Sequence, residues 1–112
     1  MKLSSLASAL SPLLKSNFDP RETMQWLTAD KKMYWSWGVS KQINLFNKGL
    51  LLRVRGHHHD GYVLITLNWN DTYEVHLVKT NGKVVSSHED IYCDMLQEFI
   101  DEKIERIEEY VN

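Results

Sequence analysis

Hydrophobic and polar residues change period twice along the chain. Leu3, Leu6, Ala7, Leu10, Leu13 and Leu14 recur at helical spacing, so an amphipathic helix is expected over roughly Leu3 to Lys15, with Pro12 kinking it or starting a second short turn. Ser4, Ser5, Ser8 and Ser11 interrupt the apolar residues, which reads as a mature helix and not the continuous apolar core of a signal peptide. Asp19-Pro20-Arg21-Glu22 is a helix start: Asp caps orphan amides, Pro suits the first helical position, and Glu can complete a capping box. A second short helix over about Pro20–Thr28 follows.

From Lys32 the period becomes two. Met33, Trp35, Trp37 and Val39 alternate with Tyr34, Ser36 and Ser40, predicting a strand in which Gly38 permits a bulge before Ile43 and Leu45. Asn47-Lys48-Gly49 is a turn. Further strands are expected at Leu50–Arg55, Tyr62–Trp69 (Val63, Ile65, Leu67 and Trp69 on one face), Thr72–Lys79 and Lys83–Ser86. Asn81-Gly82 is a type I′ hairpin signal. Short turns between consecutive strands make an antiparallel meander of about five strands.

The helical period returns after Ser87-His88-Glu89-Asp90, read as an N-cap with acids in the first turn. A helix of about 22 residues is expected, with Met95, Phe99, Lys103 (by its stem), Ile107 and Val111 down one side and Leu96, Ile100 and Ile104 beside them. Its apolar stripe needs a surface to cover, and so does one face of the sheet. The fold expected is therefore a single α+β domain over 1–112: an antiparallel meander, N-terminal helices, and a long C-terminal amphipathic helix packed on one face.

Composition leaves this picture intact, since 112 residues with 43% hydrophobic and 25% charged content suit one globular core. No apolar run approaches the roughly 20 residues of a membrane span. The single cysteine, Cys93, cannot form an internal disulfide and fits a reducing compartment, so a cytoplasmic location is expected. Charge adds a division. Residues 1–56 hold nine Lys/Arg against three acids, and residues 57–112 hold four against twelve. Over Glu89–Val111 nine acids face only Lys103 and Arg106.

Candidate chemistry is sparse. Three adjacent histidines and an acid, His57-His58-His59-Asp60, have metal-ligand character, but consecutive residues do not readily aim three rings at one ion, and a polar hairpin tip explains them. Acids surround Cys93 and oppose a lowered thiol pKa. The chain lacks a phosphate loop, a Gly-x-Ser-x-Gly elbow and a dinucleotide fingerprint. No catalytic residue, cofactor or metal is assigned.

The remaining reading is a non-enzymatic interaction module that self-associates, by strand-edge or helix pairing, as a homodimer. Asp94, Glu98, Asp101, Glu105 and Glu108 form its candidate partner surface, which suits a cationic partner. The alternative is a nucleic-acid-binding accessory protein using the basic, aromatic first half, with Tyr34, Lys41, Lys48, Arg53 and Arg55 as the surface. Trp35-Ser36-Trp37-Gly38, Gly61-Tyr62-Val63, Asp71-Thr72-Tyr73-Glu74-Val75 and the stretch from Ile91-Tyr92 to Ile104-Glu105 resemble short uncharacterised proteins carried by bacterial mobile elements. The resemblance spans roughly residues 33–110 and implies an accessory binding protein.

Overall fold

The structure is a computed structural model, and it describes residues 3–105. Strands β1 (Lys41–Leu45), β2 (Gly49–Arg55), β3 (Asp60–Leu67), β4 (Tyr73–Val78) and β5 (Val84–Ile91) form one antiparallel sheet in the order β1-β2-β3-β4-β5. The expected meander is present. Helices α1 (Leu3–Leu10), α2 (Pro20–Leu27), α3 (Lys31–Ser36) and α4 (Leu96–Ile104) surround it.

Period-two side chains give each strand two faces, and here both are apolar. Leu50, Leu52 and Val54 of β2, Val63 and Ile65 of β3, and Tyr73, Val75 and Leu77 of β4 form one core with Leu27, Tyr34, Trp37, Leu96, Ile100 and Ile104. Leu51, Leu64 and Val78 point the other way and pack under Leu6 and Leu10 of α1. The sheet is therefore the middle of three layers, with α2, α3 and α4 on one side and α1 on the other. The C-terminal helix packs on one face as expected, and α1 covers the other.

Reaching both faces requires the chain to cross the sheet. A 3-10 turn at Ser11–Leu13, with Pro12 in its first positions, ends the α1 region. The segment from Leu14 to Asp19 then passes over the sheet end that carries the β1–β2 and β3–β4 turns. Ser16 bonds the Leu67 carbonyl through both its amide and its hydroxyl, and the Phe18 amide donates to Asn47 O. Asp19 then caps α2 by accepting from the Arg21 amide.

Three local expectations are corrected. The stretch from Lys31 to Ser36 is helical, because the Asp30 carboxylate accepts from the Lys32 and Met33 amides and Gly38, at φ +63°, ends the helix in the left-handed region. Tyr34 and Trp37, three apart, are then both buried while Trp35 turns outward. At Asn81-Gly82 only Gly82 has positive φ, and the Lys79 N–H to Lys83 O bond closes a three-residue loop in place of a type I′ turn. Ser87, His88 and Glu89 lie in β5, which runs to Ile91 because doubly buried β4 needs an edge partner; the ladder absorbs two register shifts.

The C-terminal helical segment consequently starts later and is shorter than expected, a 3-10 turn at Cys93–Met95 leading into α4. Its buried stripe is Leu96, Ile100 and Ile104, and Met95 is exposed. Ile107, Glu108 and Val111 lie outside the described residues. Gln97 locks α4 to the α2–α3 junction: its Nε2 donates to Leu27 O and Asp30 O, both at 2.7 Å, and its Oε1 accepts from the Asp30 amide at 3.0 Å.

Removing the Gln97 amide leaves these backbone groups unpaired inside the fold. Gln97→Leu is expected to cost at least about 2 kcal/mol in urea unfolding. Gly56→Ala, whose new Cβ would stand 2.4 Å from the Ile104 carbonyl oxygen, is expected to cost about 1–3 kcal/mol. Losses under about 0.5 kcal/mol in both variants would contradict this packing.

Candidate functional site

The acidic set does not form one free surface. Asp94 and Glu98 are exposed, but Asp101 accepts the Trp37 indole N–H at 3.0 Å and Glu105 accepts the His57 amide at 2.9 Å. Glu108 lies outside the described residues. Two of the acids are thus tied into the join between α4 and its neighbours.

The basic set is also divided. Lys41 and Arg53 are register partners, and Arg55 lies two residues beyond Arg53 on the same face. Arg53 spans Asp60 Oδ1 at 2.7 Å and the Val54 and Gly61 carbonyls, with its guanidinium 5.7 Å from the Tyr62 ring centroid. That guanidinium holds the Asp60 carboxyl below its ordinary pKa. Lys48 belongs to the turn at the far end of β1. Tyr34 is buried on the opposite face, where its hydroxyl accepts from Gln42 and burial pushes its pKa up.

The histidine loop has a packing job. The His58 amide donates to Ile104 O at 2.7 Å, satisfying a carbonyl at the end of α4, and His59 Nε2 lies 3.0 Å from Tyr62 O. No group of three or more His, Cys, Asp or Glu among the described residues is arranged to hold a metal ion.

A row of polar groups lies on the face that α1 covers. Lys15 Nζ meets Glu74 Oε2 at 2.6 Å, and Glu74 Oε1 stands 3.4 Å from His76 Nε2. His76 Nδ1 pairs with Ser87 Oγ at 2.8 Å across β4 and β5. Glu74 and His76 are almost wholly buried, and among the described residues neither His76 Nε2 nor the nearby Thr66 Oγ1 makes a hydrogen bond, the 3.4 Å approach of Glu74 to His76 being a charge contact. The hydroxyl–imidazole–carboxylate row is therefore not a connected proton relay. Burial pushes the His76 pKa down despite Glu74, so the ring is neutral near pH 7. The geometry makes the row a clamp, since Lys15 brings the charge that balances buried Glu74 as the N-terminal segment lies down.

Sequence reasoning missed the apolar surface. Phe46, Trp69, Tyr92 and Met95 are 69%, 76%, 61% and 56% exposed. All four sit at one end of the sheet: Phe46 in the β1–β2 turn, Trp69 in the β3–β4 turn, and Tyr92 and Met95 just past the end of β5. Asparagines brace both turns. Asn44 Nδ2 donates to Asn47 Oδ1, and Asn44 Oδ1 accepts the Asn47 backbone amide. Asn68 accepts from the Asn70 and Thr72 amides and donates to Thr72 Oγ1. Phe46 itself has φ +58°, a left-handed conformation that is strained for a bulky side chain. The available signal was Asn68-Trp69-Asn70-Asp71, whose turn formers argue against extending the strand through Trp69.

Because His76 binds a proton less readily folded than unfolded, its contribution to stability is present above about pH 6.5 and is lost as pH falls through the lowered folded value. His88, lowered by burial, acts in the same direction. The melting temperature is expected to fall between pH 7.5 and 5, with a smaller fall in His76→Gln; an imidazole NMR titration of His76 at or above 6.5 would contradict this assignment. Comparison of the chain with protein-family models, with curated proteins and with solved structures gives no match.

Proposed function

We propose that the protein is a non-enzymatic interaction module that self-associates through the end of its sheet bearing Phe46, Trp69, Tyr92 and Met95. The observation that carries this reading is the rigid display of Phe46 and Trp69 on asparagine-braced turns. Large aromatics held in place before binding lose little conformational entropy when covered, which is why such residues dominate interface energetics. The strain at Phe46 points the same way, because Asn or Gly would occupy that φ at lower cost.

Charge supports a second copy as the partner. The two turns carry Lys48 and Asp71, of opposite sign, so a two-fold arrangement of sheet ends can set each against its complement. Among the described residues no helix is long and apolar enough to cross a membrane. With Cys93 as its only cysteine, we read the module as cytoplasmic. An accessory role agrees with the resemblance to proteins of bacterial mobile elements.

Sedimentation across a hundredfold concentration range is expected to show a monomer–dimer equilibrium. Trp69→Ser shifts it to monomer. Phe46→Asn does so as well, while raising the stability of the monomer by up to about 1 kcal/mol, since it relieves the left-handed strain. A strict monomer at high concentration, or an unchanged equilibrium in both variants, would refute the proposal.

A further inference from the structure

Trp35 is exposed on the other end of the molecule, and its surroundings differ from those of Trp69. Lys31 and Lys32 precede it by four and three residues, so helical spacing sets both on its side of α3. Beyond the indole lies a pocket of about 310 Å³ lined by Tyr34, Trp35, Val39, Ser40, Lys41 and Gln42. The Tyr34 ring meets Trp35 at 76° with centroids 5.9 Å apart, and Gln42 holds the Tyr34 hydroxyl. The indole is thus backed by a buried, hydrogen-bonded ring while 69% of the residue faces solvent.

The rim is cationic. Lys31, Lys32, Lys41 and Arg55 are all exposed, and among the described residues none of the four approaches a carboxylate within 4 Å; Arg55 stands opposite Asp60 in the β2–β3 register and helps to lower its pKa, while Arg53 takes the contact. Lys41 lines the pocket itself, and Arg55 is joined to the chain just before it: its amide donates to Trp37 O and it lies against Gly38. The nearby acids are engaged: Asp30 binds the amides that start α3, and Asp101 takes the Trp37 indole N–H. A flat aromatic face flanked by exposed cations suits a ligand that joins a π-system to negative charge.

We infer that this pocket binds single-stranded nucleic acid, with a base stacked on Trp35 and flanking phosphates held by Lys31, Lys32, Lys41 and Arg55. A single strand offers unstacked bases to the indole, whereas a duplex hides them and an acidic peptide has no use for the stacking face. Of the residues that sequence reasoning assigned to such a surface, Lys41 and Arg55 take part directly. Tyr34 supports the indole from beneath, Arg53 is occupied by Asp60, and Lys48 is at the wrong end.

The test is fluorescence anisotropy with the full chain, using labelled twelve-residue oligothymidylate and oligouridylate, a duplex of equal length, and oligoglutamate as competitor. Single strands should bind and the duplex bind more weakly, with log affinity falling by about 0.7 per phosphate contact for each unit of log salt. Binding of either strand supports the inference. Trp35→Ala should weaken binding roughly 5- to 150-fold while leaving the circular dichroism and the salt slope unchanged. Lys41→Gln should lower the slope. The inference is overturned if neither strand binds at low salt, if the duplex or oligoglutamate binds equally well, or if Trp35→Ala loses less than about twofold.

Discussion

Burial of the central strands from both sides is the constraint on which this structure depends. Every residue of β4 from Tyr73 to Val78 is buried, including Glu74 and His76. Neither α1 nor the α2–α3–α4 layer can cover such a strand alone, so the chain must bring helices to each face and carry itself across the sheet to do so. The crossing segment is fastened where it passes, by Ser16 on Leu67 O and Phe18 on Asn47 O, and the Lys15–Glu74 pair joins the outer layer to the middle one. Breaking that pair from the lysine side would leave a buried carboxylate without its counter-charge, which costs more than the pair itself contributes.

With both faces covered, the ends and edges of the sheet are what remain for contact with other molecules. The two ends are chemically unlike. One carries Phe46, Trp69, Tyr92 and Met95 on turns and strand exits, and the other carries Trp35 among lysines and arginine. The polarity first seen as a basic first half and an acidic second half is therefore only partly a surface property. Arg53 with Asp60, Lys15 with Glu74, and the hydrogen-bonded Asp101 and Glu105 consume much of it internally.

How much of this was legible depended on whether one local signal competed with another. The strands from Leu50 to Val78 read correctly because alternation, turn residues and β-branched content agree there, and the Asp19-Pro20 helix start did as well. Residues 31–37 misled because a short helix with large apolar residues at Met33, Trp35 and Trp37 mimics alternation; the Asp30 cap and the Gly38 terminus were the better guides. The Ser87–Asp90 stretch carries sound capping residues, yet tertiary pairing with β4 outweighed local propensity. For the candidate surfaces, residue type identified Lys41 and Arg55, but no one-dimensional pattern separates Arg53, whose guanidinium grips Asp60, from Arg55, which stands opposite the same acid in register. Phe46 and Trp69 share one end of the sheet only through the order of the strands, which periodicity does not encode.

The proposed meeting of copies through the apolar sheet end is tested most directly by amide hydrogen exchange, followed at protein concentrations well below and well above the association midpoint. Added protection confined to the segments around Phe46, Trp69 and Tyr92–Met95 is the predicted result. Protection that appears along the open edges of β1 or β5, or on the exposed acids of α4, would contradict it.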